Sequence, residues 1–240
     1  MPFAAALVAL VACTTGAADR DGTPDAADRG ARSLPTDCRA SVLYVALGDS
    51  TVEGIGATSP PRNYVSRIHD RLRAIYPAAR VENLGVSGAV SADVLRRQLD
   101  RAIELRPDLV TLSVGPNDIT RGVPVDDYER NVDRIMKRLT TRTTALVVVN
   151  LLPDLAVTPR FVNSEKRDAV GHLSVRFNAV LARKAREYGV ETVDLYERSR
   201  AEVPRRPELV AGDGYHPSDL GYERWAELMW TRVAPRTPEC

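Results

Sequence analysis

Five short apolar runs, alternating with longer amphipathic stretches, constrain this chain more than any other feature of it. The runs lie near residues 43–47, 80–84, 109–114, 145–151 and 190–195. The stretches that follow them, near 62–76, 91–106, 126–141, 164–188 and 218–233, repeat apolar residues every three or four positions. Tyr128, Val132, Ile135, Met136 and Leu139 trace one such stripe, and Tyr64, Val65, Ile68, Leu72 and Ile75 trace another. Ser91 stands where the second of these helices would be capped. Alternation of this kind implies a mainly parallel sheet covered by helices on both faces. The expectation is a single three-layer α/β/α domain around a five-stranded parallel sheet. A chain of 240 residues with 44% hydrophobic content can bury one such core, and no internal repeat is visible.

In open sheets of this type ligands bind at the carboxyl ends of the strands, and polar clusters fall there. The first run ends in Gly48-Asp49-Ser50-Thr51-Val52-Glu53-Gly54, which puts a serine in a glycine-punctuated turn. The second closes with Asn83-Leu84-Gly85-Val86-Ser87-Gly88 and the third with Ser113-Val114-Gly115-Pro116-Asn117-Asp118. Before the last helix, Asp213-Gly214-Tyr215-His216-Pro217 sets a carboxylate and an imidazole three residues apart on a loop that can fold one onto the other. Each cluster alone is weak, since Asp and Ser are ordinary turn and cap residues. All four in this order are a strong signal.

On these four blocks, spanning residues 48 to 216, the chain resembles the SGNH, or GDSL, hydrolase family. The resemblance implies a flavodoxin-like SGNH hydrolase fold, with Ser50 as nucleophile, Gly88 and Asn117 as oxyanion residues, and Asp213 and His216 as the remaining pair of a triad. Pro116 occupies the variable position of the third block and biases Gly115 toward an extended backbone. The implied activity is that of a serine ester hydrolase working through an acyl-enzyme, without metal or cofactor.

The residue chemistry agrees with that implication. A serine hydroxyl attacks poorly unless a base takes its proton, and the base works best when a third group fixes its tautomer. His216 and Asp213 fit those roles. The oxyanion formed on attack needs fixed donors, for which the Ser50 and Gly88 N–H groups and the Asn117 amide are candidates. Of the other histidines, His69 is expected on a solvated helix surface and His172 in an amphipathic stretch; Asp49 and Asp118 are expected to hold their loops. Three scattered histidines suggest no metal site. A degenerate surface binding protein on the same fold is opposed by the intact Ser50, Asp213 and His216. An α/β-hydrolase lipase is opposed by the absence of Gly-x-Ser-x-Gly.

Substrate class is less legible. Residues 151–162 are unusually apolar for a loop, and Leu152, Leu155, Val157 and Phe161 are candidates for an acyl-chain pocket. Packing of that loop onto the domain accounts for them equally well. Trp225 and Trp230 fall in the last helix, so no aromatic platform for a sugar is evident, although a carbohydrate acetylesterase remains the alternative to a lipid or acyl esterase.

The first forty residues differ from the rest. Phe3–Ala12 is apolar, too short to span a membrane but suited to an export signal. Leu10-Val11-Ala12-Cys13 resembles the lipobox of bacterial lipoproteins, although no Lys or Arg precedes the apolar run. The organisation expected is an export signal over 1–18, with Cys13 lipidated, a flexible tether over 19–37, and the hydrolase domain over 38–240. Lipidation of Cys13 would leave Cys38 and Cys240, expected at the same edge of the sheet and able to pair. The protein is then extracytoplasmic, a surface or periplasmic lipoprotein or a secreted monomer, meeting membrane only through its anchor. A net charge of +1 gives no electrostatic case for nucleic acid.

Overall fold

The computed structural model describes Met1 and residues 32–239. Its five strands are β1 (Leu43–Gly48), β2 (Arg80–Asn83), β3 (Leu109–Ser113), β4 (Leu146–Asn150) and β5 (Glu191–Val193). They form one parallel sheet in the order β2-β1-β3-β4-β5, the flavodoxin-like order that the resemblance implied. The helices are α1 (Ser50–Glu53), α2 (Tyr64–Ile75), α3 (Ser91–Asp93), α4 (Leu99–Glu104), α5 (Pro116–Thr120), α6 (Val125–Arg142), α7 (Arg167–Tyr188), α8 (Leu195–Glu202) and α9 (Asp219–Val233).

Alternate residues of each buried strand enter opposite layers, as the period of two requires. Val45 and Leu47 of β1, Val110 and Leu112 of β3, and Val147 and Val149 of β4 pack on one face with the apolar stripes of α4, α6 and α7. Tyr44 and Ala46, Leu109, and Leu146 and Val148 pack on the other with α2 and α9. Here Tyr64 stacks on Trp225 at 5.1 Å between ring centroids. Helix boundaries have local causes. Asn63 caps α2 by accepting from Ser66 N–H at 2.8 Å, Ser218 caps α9, and Gly189, at φ +64°, ends α7 in the left-handed region.

Three helices were not expected. α1 and α5 are too short to show a period, and α8 buries only Leu195, so it has no stripe to read. The expected 91–106 helix is interrupted by a π-helical turn, Val94–Gln98. Ser91 is its first residue rather than its cap, because the hydroxyl is held elsewhere. His69 is not simply solvated: it is half-buried and its Nε2 lies 3.1 Å from the Ala79 carbonyl oxygen. His172 is exposed on α7.

The end of the expected tether is docked. Leu34 is buried and its N–H donates to Arg236 O at 2.9 Å. The Arg32 guanidinium donates to the carbonyls of Thr140, Thr143 and Ala145, satisfying acceptors that the end of α6 leaves open. Cys38 is disulfide-bonded, whereas Cys13 and Cys240 lie outside the described residues, as does most of the expected export signal. Among the described residues no helix is long and apolar enough to cross a membrane.

Among the glycines, the tightest backbone approach is at Gly48, the last residue of β1, paired with Ser113. Its φ is +147°, and a β-carbon there would sit 1.9 Å from the Ser113 carbonyl oxygen. Gly48→Ala is therefore expected to destabilise the protein by about 2 kcal/mol or more, since it combines a strained φ with a backbone clash. Denaturant titration measures this; a midpoint equal to that of the wild type would contradict it.

Candidate active site

The carboxyl ends of β1, β2 and β3 and the loop before α9 converge on Ser50. Asp49 caps α1 by accepting from Thr51 N–H at 2.9 Å and Thr51 Oγ1 at 2.8 Å, which fixes Ser50 as the first helical residue. Its N–H is among the N-terminal donors that no helical carbonyl can satisfy. Gln98 anchors the start of this turn. Its amide accepts from Gly48 N–H at 2.9 Å and donates to Gly48 O at 2.8 Å. The π-turn puts this side chain there, a feature often found at functional sites. Sequence reading missed Gln98, although its signal was present: a polar residue in the stripe that runs through Val94 and Ala102.

The Asp213–His216 loop is closed from both sides. Ala211 N–H donates to His216 O at 2.8 Å, Val210 bridges Pro217, and Gly214 turns the chain at φ +71°. Within it, Asp213 Oδ1 accepts from the N–H groups of Tyr215 and His216, both at 2.9 Å. Asp213 Oδ2 lies 2.5 Å from His216 Nδ1, and His216 Nε2 lies 2.8 Å from Ser50 Oγ. An ionised carboxylate only accepts, so Nδ1 is the donor, and in the neutral ring Nε2 accepts from the serine hydroxyl. The Asp213 side chain is 44% exposed, against 16% for His216. Partial burial pushes its carboxyl up, but the His216 ring and the two backbone donors outweigh that and hold it below its ordinary value. Tyr215 braces the loop edge-on to His216, at 5.1 Å between ring centroids.

Gly88 and Asn117 are brought to the same edge. Ala89 N–H bonds Val86 O at 3.0 Å, making a turn with Gly88 in its third position at φ +77°. Asn117 donates one amide proton to Ala89 O at 3.1 Å and keeps a second N–H. Gly115 does not take the extended backbone expected before Pro116. Its φ is +141°, ψ −32°, open to a glycine, and Pro116 occupies the first turn of α5.

Two buried carboxylates hold these loops, as expected of Asp49 and Asp118. Asp118 accepts from Ser91 N–H at 2.9 Å and from Ser91 Oγ at 2.5 Å, while Asn131 donates to that hydroxyl at 3.0 Å. Burial pushes both carboxyls up to about 6, against the pull of the Thr51 and Ser91 donors.

The four residues expected to line an acyl-chain pocket do not line a common cavity, although Leu152, Leu155 and Phe161 share one core cluster. Leu152 and Phe161 are core residues, and the Leu152 methyls fill the space beside Gly115. Leu155 alone lines a cavity of about 110 Å³ beside Tyr215 and His216, while Val157 faces a separate groove with Pro159 and Val162. The apolar loop buries itself by folding a 3₁₀ turn, Leu155–Val157, onto the domain. Among the described residues no cluster of His, Cys, Asp and Glu could hold a metal ion.

The model of the GDSL-like Lipase/Acylhydrolase family matches residues 46–224. The sequence is 28% identical over 173 residues to an acetylxylan esterase of Geobacillus stearothermophilus, covering 66% of this chain and 75% of that one. It is 22% identical over 202 residues to esterase TesA of Pseudomonas aeruginosa, covering 84% and 92%. Among solved structures, the acetyl xylan esterase AlAXEase superposes with a TM-score of 0.66 at 19% identity, covering 80% of this chain and all of that one.

The raised carboxyls give a pH signature. Unfolded, Asp118 loses its proton near 3.8; folded, it keeps it to about 6. The folded state thus binds more protons across that window, and the contribution of Asp118 to stability falls as pH rises through it. Thermal unfolding of the wild type and Asp118→Asn at pH 4 and pH 7 should show the wild type losing ground to the variant at the higher pH. A pH-independent difference would contradict the shift.

Proposed function

Because this chain belongs to the GDSL-like Lipase/Acylhydrolase family and is a serine ester hydrolase, we propose that Ser50, His216 and Asp213 are its catalytic triad and that it cleaves acyl or acetyl esters outside the cytoplasm. The observation that carries this reading is the continuous hydrogen-bonded chain from Ser50 Oγ through the His216 ring to Asp213.

In this mechanism His216 Nε2 takes the hydroxyl proton as Ser50 Oγ bonds the ester carbon, and Asp213 stabilises the imidazolium through Nδ1–H. The carbonyl oxygen becomes an oxyanion, met by the Ser50 and Gly88 N–H groups and the free N–H of Asn117. Collapse expels the alcohol, which takes the proton from His216 and leaves an acyl-Ser50. Water, deprotonated by the same ring, attacks that ester; its collapse releases the acid and returns the proton to Ser50. The low-lying Asp213 carboxyl stays ionised to support the ring.

A carbohydrate acetylesterase is the second reading, favoured by the 28% identical relative named as an acetylxylan esterase. Hydrolysis of p-nitrophenyl esters from acetyl to palmitoyl, with an acetylated sugar alongside, separates the two. Cys13 lipidation belongs to the same proposal, supported by the apolar run before it. So does the Cys38–Cys240 pairing, supported by the bonded state of Cys38.

Ser50→Ala and His216→Ala should each remove nearly all activity, Asp213→Asn somewhat less, with melting temperatures close to the wild type. Asn117→Ala should lower kcat about a hundredfold with little change in KM. Retention of most of the rate by folded Ser50→Ala would refute the nucleophile assignment; a change confined to KM would make Asn117 a substrate-binding residue instead. Mass mapping of protein from the native envelope should find a diacylglyceryl group on Cys13 and a Cys38–Cys240 peptide. An unmodified Cys13, or free thiols at Cys38 and Cys240, would overturn the corresponding part.

A further inference from the structure

A groove of about 330 Å³ adjoins Gly88, lined by residues 86–89 together with Asp93, Arg97, Gln98 and Arg121. Arg121 directly follows α5, the helix that carries Asn117, and its N–H closes onto Asn117 O at 3.0 Å. Its side chain turns back over Gly88: a β-carbon placed on Gly88 would lie 2.8 Å from Arg121 Nη2. Glycine at 88 therefore makes room for this guanidinium as well as shaping the turn. Among the described residues, some arginines answer carboxylates, as Arg183 of α7 does Glu129 and Arg224 of α9 does Glu202. The Arg121 guanidinium has no such ion pair or hydrogen bond among the described residues.

The carboxylates in and next to the groove are already engaged. Asp93 accepts from Val90 N–H at 3.2 Å and pairs with Arg96 at 3.4 Å and Arg97 at 3.8 Å. Glu53 accepts from Ser87 N–H at 2.6 Å. What remains uncompensated is a planar, permanently charged fork of donors, lying next to the position where the ester carbonyl is to be bound. That geometry suits the paired oxygens of a carboxylate or phosphate.

We propose that Arg121, with Arg97 in the same groove, selects esters that carry a carboxylate or phosphate group beside the scissile bond. The inference rests on the serine-esterase reading of Ser50 and deepens it by naming a substrate class. Because Arg121 is exposed, solvent screens the attraction, and a preference of about two- to fivefold is expected rather than an absolute requirement.

Matched ester pairs test it. Mono-p-nitrophenyl adipate against p-nitrophenyl hexanoate places the anion on the acyl side; 4-acetoxybenzoate against 4-acetoxybenzamide places it on the alcohol side. The wild type should favour the anionic member of at least one pair in kcat/KM, through a lower KM, and the preference should shrink at high salt. Arg121→Ala should bring that ratio near one, Arg121→Lys should restore part of it, and Arg97→Ala should lower it less. No anionic preference in either pair, or an equal loss on both members in Arg121→Ala, would overturn the proposal. The latter result would make Arg121 a general stabiliser of the oxyanion. Ser50→Ala on the neutral esters keeps the two failures apart: if it abolishes their hydrolysis while the preference is absent, only the inference about Arg121 fails.

Discussion

The backbone of Gly48 is the point on which the site depends. Its chain passes so close to Ser113 that no side chain fits, and its N–H and C=O are both taken by the amide of Gln98. Val86 N–H adds a bond to the same carbonyl at 3.2 Å, and Asp49 N–H bonds Ser113 O at 3.3 Å. The ends of β1 and β3, the loop after β2 and the π-turn are thereby tied at one residue, two positions before Ser50. Rigid support of this kind lets a short hydroxyl meet a base arriving from the other end of the chain.

The acidic residues of the site divide into two sorts by environment. Asp49 and Asp118 lie inside, the first accepting from Thr51 of its own turn and the second from Ser91 of another loop, and both have their carboxyls pushed up by burial. Asp213 sits nearer solvent, where three donors hold its carboxyl down. The first pair suits loop fixation and the last suits support of an imidazolium, which is how environment alone sorts chemically identical groups.

Where the structure departs from expectation, local rules lost to tertiary demands. Ser91 has the chemistry of a helix cap, yet Asp118, twenty-seven residues on, takes both its N–H and its hydroxyl. Pro116 would extend an ordinary residue before it, but Gly115 escapes that restriction and lets α5 begin at once. The apolar loop after β4 had two available fates, ligand or core, and Leu152 and Phe161 went to core. Neither composition nor period distinguishes those fates, because burial against protein and burial against a ligand ask for the same side chains.

The sequence by itself determined the alternation of strands and amphipathic helices, and hence the parallel sheet and its two covered faces, because those follow from periods of two and 3.6 that any chain must obey. It also set Ser50, Asp213 and His216 as candidates in polar, glycine-bearing turns, while Gly88 and Asn117 took their roles from the resemblance of the four blocks to the SGNH family. Only the tertiary structure decided that Gln98 would hold the nucleophile turn, that Arg32 and Leu34 would dock rather than trail, and that Arg121 would lie over Gly88. Those are contacts between residues far apart in the chain or around a turn. Their energy comes from the partner across the gap, which no local pattern encodes.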